Sequence, residues 1–239
     1  MLERILLTPR LRAAAELVAS GARIADIGCD HAYLPIALIE CGQICSAIAA
    51  DLRRGPLERA ARNIRAHGLA ESIRTVQSDG LEALSPGDFD TLVIAGMGGE
   101  NILHIIERAP YLRNAAYHLI LQPQSNADKL RAYLGREGFD ILAERFACEE
   151  EKVYCILSVR FDGMPRELRG IESFVSPAAM RERPAHMERY LEKLAARFEK
   201  RRDGLAQAGC PDMAERRAVE ELMIQLRELA ASAEREESI

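Results

Sequence analysis

The chain has 239 residues, of which 48% are hydrophobic and 29% charged, and its formal net charge is −5. This balance suits a protein with a hydrophobic core and excludes a generally basic nucleic-acid coat, although local basic patches remain compatible with RNA. No apolar run approaches the roughly 20 residues of a membrane-spanning helix, so we expect no contact with a membrane. Six cysteines without a CxxC pair predict buried free thiols in a reducing cytoplasm rather than disulfides or a metal site.

Strand-like and helix-like runs alternate through the first two thirds of the chain. This alternation, with nearly continuous apolar strands, predicts an α/β fold with a doubly wound, mostly parallel sheet. The last two strands are separated only by residues 149–151, which predicts an antiparallel hairpin at one edge, an ending typical of methyltransferase sheets. The predicted helices are 9–19, 33–41, 56–67, a helix that ends near 107, and 126–136; the predicted strands are 23–28, 45–50, 73–77, 89–95, 117–121, 139–147 and 152–161.

The character of the sequence changes after residue 161. Apolar residues keep helical spacing over 184–205 and again over 219–229, with a break at 208–211. The pattern predicts an αα-hairpin resembling a coiled coil, and we therefore divide the chain into domains 1–161 and 162–239. Two roles remain open for this hairpin: it packs against the rest of the chain, or it helps to hold a long substrate. The pattern also leaves open whether the hairpin dimerises or folds back, so the oligomeric state stays undetermined.

Acidic residues stand at the ends of the first three predicted strands. Asp26 closes the first strand, Asp51 the second, and Asp79 follows the third. The carboxyl ends of parallel strands form a ligand crevice, where a carboxylate at a strand tip can accept hydrogen bonds from both ribose hydroxyls. An aspartate before a glycine is by itself more often a turn former, but three acids together favour a nucleoside-type cofactor site.

S-adenosylmethionine fits this pattern better than a dinucleotide does. Asp30 and Ala32 occupy the later glycine positions of a GxGxxG motif, and a carboxylate there would repel a pyrophosphate. The cofactor has three parts: an ammonium-carboxylate end, a ribose and an adenine. We assign to them, in that order, Asp26 with Gly28 and Asp30, then Asp51, and lastly Leu52 with Asp79 and Gly80.

A second glycine-rich run, 96–99, follows the fourth strand, where methyl acceptors approach a sulfonium. Its three glycines leave room for a flat group, although a tight turn explains them equally well. The run lacks the Asn/Asp-Pro-Pro-Tyr/Phe motif of exocyclic-amine methylases, which favours a ring nitrogen as acceptor. We assign Ala95, Gly96 and Met97 to the cofactor site and Gly98 and Gly99 to the substrate site.

Three further side chains are candidates for contact with the substrate. His31 reads as a base, as a hydrogen-bond donor or as a packing residue of the first turn of its helix. Tyr33 reads as a stacking partner for a base or as a residue packed under the same helix. Arg10, just inside the first helix, reads as a phosphate contact or as a surface arginine.

Taken together, three motifs resemble those of bacterial TrmK-type tRNA methyltransferases. They are Asp26-Ile27-Gly28-x-Asp30-His31-Ala32-Tyr33-Leu34-Pro35, Ala95-Gly96-Met97-Gly98-Gly99 and Leu121-Gln122-Pro123. The resemblance spans residues 1–160 and includes Arg10-Leu11, Asp51 with Gly55-Pro56, and Asp79-Gly80-Leu81. It implies a class I methyltransferase domain followed by a helical coiled-coil domain.

The same resemblance implies a reaction in which S-adenosylmethionine methylates N1 of adenine 22 in tRNA. Adenine N1 is largely unprotonated at neutral pH, so catalysis would depend on in-line positioning and on a carboxylate or carbonyl groups near the developing positive charge. The base must leave its stack to react, which suits a stacking or hydrogen-bonding side chain. The implied catalytic residues are Asp26, Asp30 and His31, and the implied substrate-binding residues are Arg10, Tyr33, Gly98, Gly99, Gln122 and Pro123.

Two other function classes stay open at this stage. One is an S-adenosylmethionine-dependent methyltransferase that acts on another RNA or on a small molecule. The other is a non-catalytic RNA-binding module on the same fold, which would not need to keep Asp51 and Asp79 together. A nicotinamide-dependent oxidoreductase is the least favoured reading.

Overall fold

The structure is a computed structural model that describes residues 5–207 and 213–236. Short 3-10 turns lie at Pro110–Leu112 and Gly170–Ser173. The other elements, in chain order, are α1 (Pro9–Glu16), β1 (Ala22–Ile27), α2 (Tyr33–Glu40), β2 (Ile44–Asp51), α3 (Arg54–Ala66), β3 (Ile73–Gln77), β4 (Thr91–Met97), α4 (Gly99–Glu107), β5 (His118–Pro123), α5 (Ala127–Arg136), β6 (Phe139–Glu149), β7 (Lys152–Phe161), α6 (Pro177–Glu182), α7 (Met187–Gln207) and α8 (Met213–Glu236).

The strands form one seven-stranded sheet in the order β3-β2-β1-β4-β5-β7-β6. The first five strands pair in parallel, whereas β7 pairs antiparallel with both β5 and β6. The strand order reverses between β1 and β4, and open α/β sheets bind ligands at such a switch point. The doubly wound sheet and the antiparallel closing hairpin are therefore confirmed.

Helices cover both faces of the sheet, because central parallel strands must bury side chains on both sides. On one face α1, α2 and α3 pack through Ala14, Leu34 and Ala60. On the other face α4 and α5 pack through Ile102 and Leu130. The two layers leave the carboxyl-end edge of the parallel strands open to ligands.

Several predicted boundaries differ from the structure for local reasons. Helix α1 ends at Glu16 rather than near residue 19, because the chain turns at Leu17 to enter β1. Strand β4 begins at Thr91 rather than at 89. Asp90, just before it, donates its backbone N–H to the Arg23 carbonyl at 3.0 Å, and its side chain accepts the Arg23 N–H at 3.1 Å. The same strand continues through Gly96 to Met97, with an irregularity in its pairing to β5.

The predicted helical pair after residue 161 is present as α7 and α8. These helices share a third hydrophobic cluster with the outer hairpin of the sheet, in which Leu191 and Phe198 of α7 meet Met223 of α8 and Phe146 of β6. Helix α6, which sequence patterning missed, is capped by Ser176, whose hydroxyl accepts the N–H of Ala179 at 3.1 Å. The predicted break at 208–211 lies outside the described residues, and the coiled-coil character remains a prediction.

Within the described part of the chain, no helix combines the length and apolarity needed to cross a bilayer. The described cysteines are free thiols, as predicted, and Cys29 and Cys155 are buried. The predicted burial is wrong for the other three, since Cys41 and Cys45 are exposed and Cys148 is partly exposed. The predicted thiol at Cys210 lies outside the described residues.

Candidate functional site

A cleft of about 540 Å³ opens at the carboxyl ends of β1 to β4. Parallel strands end there together, so residues far apart in sequence come to one edge of the sheet. The predicted site residues that line it are Arg10, Gly28, Asp30, Asp51, Leu52, Asp79, Gly80, Ala95, Gly96 and Met97.

Asp51 is a buried carboxylate at the tip of β2, and it lines the cleft. Its Oδ1 accepts the backbone N–H of Arg53 at 2.9 Å. The structure shows no hydrogen bond to Oδ2 from the described residues. This oxygen is therefore available to accept hydrogen bonds from a ligand that brings hydroxyl or amine donors.

Asp26 lies beneath the cleft rather than in its lining, and it is 5% exposed. Burial, with the nearby charge of Asp51 as a second cause, raises the pKa of this carboxyl to about 7. The same surroundings raise the pKa of the Cys29 thiol, chiefly through burial, so Cys29 is not a thiolate nucleophile at neutral pH. Two carboxyl groups sharing a buried site favour a cationic ligand above them.

The turn between β1 and α2 holds three residues at positive φ: Gly28 at 76°, Asp30 at 48° and Ala32 at 57°. Left-handed conformations outside glycine are uncommon and cluster at ligand sites. A Cβ at Gly28 would lie 2.4 Å from Cε of Met97, so glycine keeps the cleft floor open. The Asp30 carboxylate projects to the rim and meets Arg59 Nη2 at 3.3 Å.

His31 and Tyr33 do not line the cleft. Their rings stack on each other, with centroids 5.1 Å apart and an interplanar angle of 11°. His31 Nε2 lies 3.6 Å from Asp30 Oδ2, and the Tyr33 residue is 42% exposed. The stacked rings lie at the protein surface next to Asp30, with Tyr33 exposed and His31 partly exposed. The roles predicted for both residues remain predictions.

The loop after β3 forms another wall of the cleft. Gly80 has a φ of 55°, and a Cβ there would lie 2.9 Å from Cγ1 of Ile105. Asp79 accepts a hydrogen bond from Arg108 Nη1 at 3.3 Å and is half-exposed. The Asp79 carboxylate is thus already bound by Arg108, which directly follows α4. In contrast, Oδ2 of Asp51 has no hydrogen bond from the described residues.

Arg10 reaches the cleft from α1 and is held by two other elements. Its Nη1 donates to Gln122 Oε1 at 3.2 Å, and its Nε lies 3.6 Å from Glu149 Oε2. Gln122 is fully buried, so its side chain reaches the site only through Arg10. A Cβ at Gly96 would lie 3.2 Å from Arg10 Nη1, which places the guanidinium directly against the glycine-rich run.

Gly98 and Gly99 do not line the cleft, and the structure gives them a packing reason. The Gly99 N–H donates to the Ser125 carbonyl at 2.7 Å. A Cβ on Gly99 would lie 2.5 Å from the Asn126 carbonyl oxygen, and one on Gly98 would lie 3.2 Å from Ser125 Oγ. The space we predicted for a flat substrate is thus partly filled by the loop that follows Pro123 of β5.

Replacing Gly99 by alanine is expected to destabilise the protein by about 1–3 kcal/mol, because its Cβ would collide with rigid backbone. Gly204→Ala is the matched control: it lies inside α7 with nothing within 4 Å of the new Cβ. That variant should gain up to about 1 kcal/mol from helix propensity. Urea denaturation measures both, and equal stabilities of the two variants would contradict the packing reason.

Several cleft residues were missed by sequence reasoning. Asn101, His104 and Ile105 lie on α4 at helical spacing, so one helix face supplies all three. The signal available in the sequence was the helical spacing of these three residues directly after the glycine-rich run that ends a strand. The remaining missed residues are Ile27, Arg53, Ser78 and Gln124. Across the described ranges, no group of three His, Cys, Asp or Glu residues could hold a metal ion.

Comparison with known proteins gives a consistent result. A family model described as "Methyltransferase domain" matches residues 7–157. The tRNA (adenine(22)-N(1))-methyltransferase of Bacillus subtilis (strain 168) is 38% identical over 151 residues, which cover 63% of this chain and 63% of that protein. The chain therefore spans less than two thirds of the length of this curated relative.

Solved structures match over nearly the whole chain. The crystal structure of the B. subtilis m1A22 tRNA methyltransferase TrmK is 30% identical, with a TM-score of 0.80, over 95% of this chain and 99% of that one. Streptococcus pneumoniae Sp1610 in complex with S-adenosyl-L-methionine is 34% identical, with a TM-score of 0.78, over 94% of this chain and 100% of that one. The similarity thus extends beyond the sheet into the C-terminal helices.

Proposed function

Because this chain belongs to the TrmK-type family of methyltransferases, we propose that it transfers the methyl group of S-adenosylmethionine to N1 of adenine 22 in tRNA. The observation that carries the proposal is the cleft at the switch point of the sheet, whose lining includes residues of two of the three motifs that resemble this family. The named relatives methylate adenine 22 of tRNA, and one matched structure contains the methyl donor.

The residues around the cleft fit the proposed methyl donor. Asp51 offers a carboxylate oxygen, Oδ2, that accepts no hydrogen bond from the described residues, which suits the hydroxyls of a ribose. The carboxyl groups of Asp26 and Asp30 give the end of the cleft near Gly28 an acidic character that suits an ammonium group. Bound there, the cofactor would supply a methyl group activated by a positively charged sulfur.

The substrate side of the proposal needs no strong base. Adenine N1 carries a free lone pair, so the protein's work is to orient the base and exclude water. Arg10 supplies a cation at the cleft for a nearby phosphate, and the stacked pair of His31 and Tyr33 offers a face for the displaced base. The Asp30 carboxylate at the rim suits the positive charge that develops on the product ring.

The remaining features of the proposal concern the rest of the chain. We propose a catalytic domain over 1–161, and a helical domain over 162–239 whose α7 and α8 form the coiled-coil element. A tRNA substrate, together with free thiols at Cys29 and Cys155, supports a cytoplasmic location.

The test is transfer of tritium from labelled S-adenosylmethionine to unmodified tRNA that carries adenine or guanine at position 22. We expect 1-methyladenosine from the adenine form and at least ~100-fold less label on the guanine form, whose N1 is protonated. Asp51→Asn should weaken cofactor binding at least ~10-fold by calorimetry, whereas Asp140→Asn, outside the cleft, should not change it.

Each other outcome of this assay removes one part of the proposal. Equal label on both tRNAs would keep the methyltransferase and discard position 22. An absence of label on either tRNA, with tight cofactor binding, would discard tRNA as the substrate.

A further inference from the structure

Glu149, at the end of β6, contacts Arg10 in two ways. Its Oε1 accepts the backbone N–H of Arg10 at 3.0 Å, and its Oε2 lies 3.6 Å from Arg10 Nε. The first contact satisfies an N–H in the first turn of α1, where the Thr8 side chain makes no capping hydrogen bond. The second contact fixes one edge of the guanidinium, while Gln122 holds Nη1. Both side chains are about three-quarters buried, at 23% exposure.

The turn that follows Glu149 is held from the other side by α7. Arg189 Nη2 donates to the carbonyl oxygen of Glu150 at 3.0 Å. The Glu151 carboxylate lies 3.7 Å from Arg189 and 3.6 Å from Lys193. Glu150 itself has a φ of 53°, a conformation that a non-glycine residue keeps only where its surroundings enforce it.

We propose that Glu149 is a positioning residue that sets the guanidinium of Arg10 at the cleft, and that α7 holds Glu149 in place through the turn 149–151. The proposal rests on the proposed function, in which Arg10 receives a phosphate of the RNA substrate. A long arginine side chain binds an anion best when its planar group is already oriented. Glu149 and Gln122 take Nε and Nη1, whereas Nη2 has no hydrogen bond among the described residues.

Electrostatics alone predicts the opposite effect of removing Glu149. Its negative charge repels an approaching phosphate, so a pure charge effect would make Glu149→Ala improve the use of tRNA. If positioning of Arg10 dominates, the same variant impairs the reaction. The direction of the change therefore separates the two explanations.

The experiment is a double-mutant cycle on tRNA methylation with saturating S-adenosylmethionine. We expect Glu149→Ala to lower kcat/KM for tRNA about tenfold in the wild-type background and less than about twofold in the Arg10→Ala background. Glu149→Gln, which keeps an acceptor oxygen, should recover part of the loss. The cofactor dissociation constant should stay within about twofold of wild type. Arg189→Ala should act in the same direction and add little to Glu149→Ala.

Glu137→Ala is the matched control, because it also removes an ion pair between elements, here with Arg113, but away from the cleft. It should change kcat/KM less than about twofold. Equal losses from Glu149→Ala in both Arg10 backgrounds, or a gain in kcat/KM, would overturn the positioning role while wild-type transfer upholds the proposed function. An absence of transfer by the wild type would overturn the proposed function and this inference together.

Discussion

Glu144→Ala is expected to lower the free energy of unfolding by about 3–5 kcal/mol, the usual cost of leaving a buried charge without its partner. Arg131 of α5 and Glu144 of β6 are both fully buried, and Arg131 Nη2 donates to Glu144 Oε1. The other carboxylate oxygen, Oε2, accepts the backbone N–H of Ser176 at 2.8 Å. The substitution thus leaves the Arg131 guanidinium without its carboxylate partner and the Ser176 N–H, at the start of α6, without its acceptor.

Urea denaturation of the wild type and of three variants measures this effect. Glu137→Ala breaks a partly exposed ion pair with Arg113 and should cost no more than about 1 kcal/mol. The double variant Arg131→Met/Glu144→Leu replaces both charges with apolar groups and should be more stable than Glu144→Ala alone. A Glu144→Ala protein within about 1 kcal/mol of wild type would contradict the buried-charge argument.

This buried pair also joins the sheet to the C-terminal elements. Glu144 contacts α5 through Arg131 and the entry to α6 through Ser176. Close by, Phe146 of β6 packs against Tyr190 of α7, with ring centroids 4.7 Å apart. Loss of the pair should therefore loosen the docking of α6 and α7 as well as the sheet edge, a change that hydrogen exchange would register in both.

The parts of the fold that follow from local patterning were predictable. Alternating apolar strands and helices led to the sheet, and the short segment 149–151 led to the closing hairpin. Both depend on neighbouring residues along the chain, as hydrophobic periodicity does. The acids at Asp26, Asp51 and Asp79 also follow, because parallel strands bring their carboxyl ends to one edge.

What the sequence could not supply depends on contacts between distant segments. Arg10 and Glu149 lie 139 positions apart, and nothing local marks them as partners. Arg131 lies three residues before the buried Leu134 on α5, a spacing that places both on one helix face, but its partner Glu144 comes from β6. From the sequence, Gly99 was predicted to leave space for a flat substrate, whereas in the structure the loop at Asn126 fills the space beside it.

The contribution of Asp26 to the stability of the unliganded protein is expected to fall as pH rises from about 4 through about 7. Burial and the charge of Asp51 raise the pKa of its carboxyl from 3.8 to about 7 in the folded state. A raised folded pKa stabilises the protein fully below the unfolded pKa, and this contribution is lost as pH rises through the folded pKa. A shift of this size corresponds to a loss on the order of 4 kcal/mol.

Asp26→Asn removes this titration while keeping the shape of the side chain. The difference in the free energy of unfolding, wild type minus Asp26→Asn, should therefore fall steadily from about pH 4, pass through the folded pKa near pH 7, and level off above about pH 8. Asp51→Asn removes the second cause of the raised pKa of Asp26. The difference between proteins with and without Asp26→Asn, measured in the Asp51→Asn background, should therefore fall less and should level off at a lower pH. Urea denaturation at intervals across this range measures both curves. A difference that stays flat from pH 4 to 8 would mean that the pKa of Asp26 is not raised in the folded protein, and would contradict this prediction.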